Sequence, residues 1–301
     1  MFEQAAAISS LLATTPLAKA EKVVVAGGSA GGIGAFQHAD YVRELPQLRN
    51  ADVRATPLCG WFFPNVGNYS AWEQNPEADF NWGKVDKPGL WTDPVRPRQM
   101  LRQSAVATEP QLTTPAWVFV WPQGKPESAW ADQSCKAALK GEYYRCGSID
   151  VAYKYIKTPL FIAENQFDLE QIFGELKVPK PDNKTTPAEV AKELRYLRYY
   201  GQRMRASLAQ VGAAVGDNNG LWAPACLDHG ADFGFNHSKL SISGIGLKEA
   251  VMSWYDSNGT GGASANVHVE GCAAKAPGIP CSTPPGRCHK MPFGSAEVGP
   301  Q

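Results

Sequence analysis

Apolar positions along this chain fall into two kinds of pattern, short β-branched runs and longer stretches with helical spacing. The run Lys22-Val23-Val24-Val25-Ala26 ends on paired glycines and reads as a buried strand. Residues 33–45 read as the helix after it, and residues 51–59 as the next strand. Strand-like runs recur at 117–120, 158–163 and 221–226, and residues 128–140 look helical. The best helix covers 187–211, where Val190, Leu194, Leu197, Met204, Leu208 and Val211 recur at helical spacing. Its other side carries Lys192, Arg195, Arg198, Arg203 and Arg205, which reads as a solvated face, with contact to an anionic glycan as the alternative. Residues 5–20 read as an amphipathic helix leading into the Val23 strand. Strands alternating with helices define an α/β chain.

With 301 residues, a formal net charge of zero and 44% hydrophobic residues, the chain is long enough for one large α/β domain or two small ones. No run reaches the length of a membrane span, and the charge balance offers no field for nucleic acid. Seven cysteines shift the picture toward an oxidising compartment. Cys135 and Cys146 bracket a short segment, while Cys272, Cys281 and Cys288 crowd a Pro/Gly-rich tail. Disulfides are favoured over zinc, because no C-x-x-C pair occurs and His289 is the tail's only histidine. Sequons at Asn68, Asn183, Asn236 and Asn258 fit secretion, although residues 5–20 lack the basic start of a signal peptide. The expected organisation is one domain over 1–270, with the tail 271–301 packed on it.

Candidate chemistry begins where the first strand ends. Gly27-Gly28-Ser29-Ala30-Gly31 fits G-x-S-x-G, the strained strand-to-helix turn that exposes a nucleophilic serine. The same glycines resemble a dinucleotide-binding turn, and Tyr153 and Lys157 supply a Tyr-x-x-x-Lys pair. That reading needs one continuous helix through both residues, whereas Pro159 and a strand follow Lys157 at once. Asp168 lies just past the 158–163 strand and His229 just past the 221–226 run.

Ser29, Asp168 and His229 therefore run in the order nucleophile, acid, base. A serine hydroxyl attacks an ester at neutral pH only if an imidazole takes its proton and a carboxylate fixes that imidazole. The Ala30 N–H is the expected oxyanion donor. Bland alternatives stand beside these roles: a small turn residue for Ser29, a helix N-cap for Asp168 and a structural histidine for His229. His237 is the competing base, and Asp228 or Asp232 the competing acid, while His38 and His268 are placed on a helix and on the tail surface. Of the aromatic rings after residue 60, most are expected in the core. Trp61, Phe62 and, farther along, Phe167 are assigned to the substrate cleft.

The segments KVVVAGGSAGGIG, CGWFFPN, TPLFIAENQFDLEQI, GLWAPACLDHG and GLKEAVMSWYD, with the tail ending RCHK, together resemble the pectin acetylesterase/Notum family. The resemblance implies an α/β-hydrolase-like, mostly parallel sheet flanked by helices, with a Cys-rich C-terminal tail. It also implies a secreted or cell-wall carboxylic ester hydrolase using Ser29, Asp168 and His229, a Cys135 and Cys146 bridge, and Cys226 bonded into the tail. The expected reaction is O-deacetylation of a pectin-like polysaccharide, with lipid deacylation of the Notum kind as the alternative. No cofactor and no metal are expected, and the partner is an acyl-ester substrate met by a monomer. The chain departs from the family in two places. The Gly-Gly-Trp segment that supplies other oxyanion donors upstream of the nucleophile has no counterpart, so an N-terminally truncated and catalytically impaired fragment, or a glycan-binding protein, is the third reading. Gly147-Ser148 replaces an aromatic pair, which alters the expected acyl pocket.

Overall fold

The computed structural model describes residues 2–62, 69–74, 132–140, 146–182, 184–212, 218–230, 240–257 and 266–271. The strand expected at 117–120, the four sequons, the tail cysteines, Asp232 and His237 lie outside them. The described strands are β1 (Lys22–Gly28), β2 (Asp52–Leu58), β3 (Phe161–Ala163), β4 (Phe167–Asp168), β5 (Gly220–Ala223), β6 (Leu227–Asp228), β7 (Ser241–Ile242), β8 (Ile245–Gly246) and β9 (Val267–Val269). The described helices are α1 (Phe2–Thr14), α2 (Ala30–Arg43), α3 (Tyr69–Gln74), α4 (Gln133–Ala138), α5 (Ile149–Ala152), α6 (Pro187–Leu208) and α7 (Leu247–Asp256).

Five strands form a parallel sheet in the order β1-β2-β3-β5-β9. Gly28 pairs with Leu58, Leu58 with Ala163 and Ala163 with Trp222. The strands thus end level, and the loops after β1, β2, β3 and β5 open on one edge, where open α/β sheets hold their functional groups. β4 and β6 pair in parallel just beyond that edge, Asp168 opposite Asp228.

β2, β3 and β5 are buried along most of their length, as strands covered on both faces should be. β1 departs from the expected buried run. It is an edge strand of the described sheet with alternating exposure, and Val24 is 49% exposed. Its inward residues Val23 and Val25 pack with Ile8 and Leu12 of α1 against Val42, Leu48 and Val53. The amphipathic reading of the first helix is thereby explained.

α6 opens with a capping box, Thr186 and Glu189 each bonding the other's backbone N–H. Its apolar face, including Leu194, Leu197, Tyr200, Met204 and Leu208, joins the main core. Gly201 on this helix is required by a close approach, since a Cβ there would lie 2.4 Å from the Phe167 ring. α4 falls within the helix expected at 128–140, of which residues 128–131 lie outside the described residues, and it is tied to Cys146 through the Cys135–Cys146 disulfide. Cys226 is disulfide-bonded as well. The tail domain expected at 271–301 is described only at its first residue.

Candidate active site

The chain turns from β1 into α2 through Ser29, which takes φ 57° and ψ −123°. A positive φ strains any residue with a Cβ, so the turn must be held from outside. Ser29 N–H donates to Leu58 O at 2.9 Å, and Ile33 N–H donates to Ser29 O at 3.1 Å. Two glycines let the segments close. A Cβ at Gly27 would lie 2.2 Å from Gly31 O, and one at Gly32 would lie 2.6 Å from Leu58 O. Gly28, which the sequence also presents as part of the turn, has open space where a Cβ would go.

Ser29 occupies the N-cap position of α2, yet its hydroxyl makes no capping bond. Its Oγ lies 2.7 Å from His229 Nε2, and His229 Nδ1 lies 2.7 Å from Asp168 Oδ2. The three sequence candidates therefore form one hydrogen-bonded line. Asp168 is fully buried and serves in two ways. Its Oδ2 meets the imidazole, while its Oδ1 accepts the Gln171 N–H at 2.8 Å and anchors the π-helical turn Glu170–Glu175. One oxygen of Asp168 thus meets the helical turn that follows it and the other meets the imidazole.

Burial alone would depress the His229 pKa, but the hydrogen bond and charge of Asp168, joined by Glu170 and Glu175, outweigh it and raise the pKa above 6.5. Asp228, the competing acid, instead accepts the His229 backbone N–H at 2.7 Å. Asn165 Nδ2 donates to Asp228 O at 3.0 Å and ties the two loops together. His38 stands on α2 as expected, whereas His268 stands in the sheet strand β9 rather than on a tail surface.

A cleft of about 330 Å³ opens on this line, with Ser29, Ala30, Phe62, Glu170 and His229 in its lining. Ala30 begins α2, where helix geometry leaves backbone N–H groups without intrahelical acceptors. Phe62 meets the His229 ring edge-on, with centroids 6.1 Å apart. The other two rings assigned to the cleft are elsewhere. Trp61 is fully buried between Phe36 and Tyr153, and its indole N–H donates to Ser207 Oγ at 2.9 Å. Phe167 is fully buried against α6. At both positions the backbone aims the ring into the core, because the apolar face of α6 is there to receive it.

The Tyr-x-x-x-Lys pair is divided as its sequence context suggests. The helical turn ends at Tyr155, with Tyr153 in the core and Lys157 exposed beyond it. Tyr153 Oη accepts from Asn219 Nδ2 at 2.9 Å, and the Lys157 N–H donates to Asp40 on α2.

Ligand atoms of Cys59, Asp168 and His229 lie within 4.8 Å of one another. The Asp168 and His229 atoms already share a hydrogen bond, and burial, followed by the charges of Glu164, Asp168 and Asp228, pushes the Cys59 thiol up, so this trio is poorly suited to a cation. Sequence reasoning missed Glu164, Glu170 and Gln171 around the line. Glu170 carried a signal, as the acid two residues after Asp168 in FDLE.

The level strand ends, with the serine–histidine–aspartate line at their edge, define an α/β-hydrolase-like fold with Ser29 on the turn after its first described strand. A family model described as Pectinacetylesterase matches residues 4–78 and 115–275, and the chain belongs to that family. It is 24% identical over 257 residues to palmitoleoyl-protein carboxylesterase notum1' of Xenopus laevis, covering 84% of this chain and 43% of that protein. It is 23% identical over 236 residues to the Drosophila melanogaster NOTUM carboxylesterase, covering 77% of this chain and 27% of that one. The solved structure of the Wnt deacylase Notum from Drosophila superposes with a TM-score of 0.59 at 22% identity, over 94% of this chain and 63% of that one. The chain thus spans less than half the length of these two curated relatives.

Proposed function

We propose that this chain is a serine carboxylic ester hydrolase that removes acetyl groups from a pectin-like polysaccharide. The observation that carries the reading is the His229 ring bridging Ser29 and Asp168 at 2.7 Å on each side. In the first half-reaction Ser29 Oγ attacks the acyl carbon while its proton passes to His229 Nε2. Asp168 holds the Nδ1 proton and stabilises the imidazolium that forms. The Ala30 N–H, at the open end of α2, donates to the developing oxyanion, a contact worth roughly 3 kcal/mol in the transition state. Collapse expels the sugar oxygen, which takes the proton from His229. Water, deprotonated by the same Nε2, then attacks acyl-Ser29 and releases acetate.

The relatives' names favour a second reading, since those named above are palmitoleoyl-protein carboxylesterases. The cleft speaks for a short acyl group. Each methylene gains about 0.8 kcal/mol only when it enters apolar surroundings, and the Glu170 carboxylate stands in the lining. The Cys135–Cys146 disulfide supports an oxidising, extracytoplasmic location. No described helix is long and apolar enough to cross a membrane.

The test is acetate release from acetylated pectin together with a series of model esters of increasing acyl length. Ser29→Ala should abolish turnover, and the intact chain should prefer acetyl esters. Turnover retained by Ser29→Ala would refute the mechanism; preference for long acyl chains would transfer the substrate to the lipid class.

A further inference from the structure

Beside Asp168 lies a second carboxyl group that the mechanism does not yet use. Glu164 follows β3 and is fully buried. Its Oε2 accepts the Trp61 N–H at 2.9 Å. Its Oε1 is buried and has no donor facing it among the described residues, and the Asp168 carboxyl lies close enough beside it for the two to interact. Two carboxylates cannot both remain ionised in such contact away from water, because their repulsion and desolvation add. One proton shared between them removes the repulsion and satisfies the idle oxygen at once.

The donor pattern decides where that proton sits. Asp168 already meets two N–H donors, Gln171 N–H at Oδ1 and His229 Nδ1 at Oδ2. Glu164 has one donor and one empty position. We propose that Glu164 is a positioning residue for the esterase reading above, a neutral carboxylic acid whose Oε1–H donates to the Asp168 carboxylate and extends the Ser29–His229–Asp168 line to a fourth member.

The titratable groups facing Glu164 agree with a neutral acid. Asp168 comes from β4, Cys59 from the end of β2, and Tyr200 from α6, with Asp228 beside Cys59 and Glu175 beside Tyr200. None of these is a cation. Burial, followed by the charge of Asp168, drives the Glu164 carboxyl well upward, and burial raises the Cys59 thiol and the Tyr200 phenol too. With these three neutral, Asp168 is the carboxylate in direct contact with the His229 imidazolium. The donated hydrogen bond fixes the carboxylate's rotation and moderates its pull on the ring.

Two substitutions separate this role from a merely structural one. Glu164→Gln keeps a donor toward Asp168 and an acceptor for Trp61, whereas Glu164→Leu keeps neither. Glu164→Gln should hold kcat within about threefold, and its acid limb in kcat/KM within about 0.3 pH unit, because no charge is lost. Glu164→Leu should lower kcat by about tenfold or more with KM within about twofold, and its acid limb should move up as Asp168 pulls harder on His229. Difference infrared spectra of the unmodified chain against Glu164→Gln, at neutral pH, should show the carbonyl stretch of a protonated carboxyl that the variant lacks. This spectrum reads the proton whether or not the chain hydrolyses esters, and whether or not Glu164→Leu folds. Absence of the band would overturn the proposal, as would a downward shift of about one unit in the Glu164→Gln acid limb, the mark of a removed buried charge.

Discussion

Asp168→Asn is the substitution whose consequence can be worked most closely from the geometry. The aspartate offers one oxygen to Gln171 N–H at 2.8 Å and the other to His229 Nδ1 at 2.7 Å. A carboxamide has a single acceptor oxygen, so one of the two donors must meet an NH2 group. If the NH2 turns toward Gln171, two N–H groups face each other in a fully buried site, and each unmet group costs about 1–3 kcal/mol. If it turns toward His229, the ring escapes that cost by moving its proton from Nδ1 to Nε2. The second arrangement wins, and it is the damaging one. Nε2–H then faces Ser29 Oγ and cannot accept its proton. The expected loss in kcat is on the order of 10⁴-fold, as for the same change in other enzymes of this geometry, or roughly 5 kcal/mol. Short-acyl ester hydrolysis measures it, with circular dichroism showing that the variant is folded. Titration of His229 by NMR adds a second readout. Burial, the largest influence, becomes dominant once the Asp168 charge is gone, so the ring's pKa should cross from above 6.5 to below it. A folded variant that loses less than about tenfold in kcat, or an unmoved His229 pKa, would refute the reasoning.

Other consequences are read by simpler assays. In the unmodified chain the base must be neutral, so kcat/KM should rise with pH through a midpoint above 6.5; a midpoint below it would contradict the raised His229 pKa. The same shift gives stability that is fully present below about 6.5 and lost as pH rises through the folded value, which denaturant titrations at several pH values will follow. Glu170→Gln should lower that midpoint by a few tenths of a unit, and less at high salt because Glu170 is exposed. Gly27→Ala should prevent folding or sharply lower the Tm, since its Cβ meets backbone 2.2 Å away, whereas Gly28→Ala should leave Tm and activity near those of the parent. Replacing Cys135 and Cys146 by serine should cost about 3 kcal/mol on chain-entropy grounds for an 11-residue separation; urea unfolding with no change in midpoint would count against it.

The parts of the site that could be read in the sequence are those set by local rules. Ser29 directly follows β1, while Asp168 and His229 lie a few residues beyond β3 and β5, and parallel strands of one sheet bring their C-terminal ends to one edge, so the strand pattern predicts that the three meet. What escaped the sequence depends on partners far along the chain. Trp61 is drawn inward by Ser207, 146 positions later, and by Tyr153, which no local pattern announces. Phe167 packs on Gly201, a helix position whose emptiness has meaning only once the two elements touch. The β1 run looked buried because its residues are β-branched, yet those residues suit a half-exposed edge equally well. Asp168 had to be assigned one role from sequence and turns out to give one oxygen to the helix and one to the histidine. Glu164 was hidden for a related reason. A glutamate in a loop reads as a solvated charge until its burial and its unmatched oxygen are seen.

Activation of Ser29 by His229 and Asp168 in this 301-residue chain is the step on which the proposed esterase chemistry depends. A fluorophosphonate probe, followed by peptide mapping, measures it without assuming any substrate. Stoichiometric modification at Ser29 is expected, fast in the unmodified chain and slowed on the order of 10³-fold or more in His229→Ala. Absence of labelling at Ser29 in folded protein, or labelling unaffected by loss of His229, would contradict it.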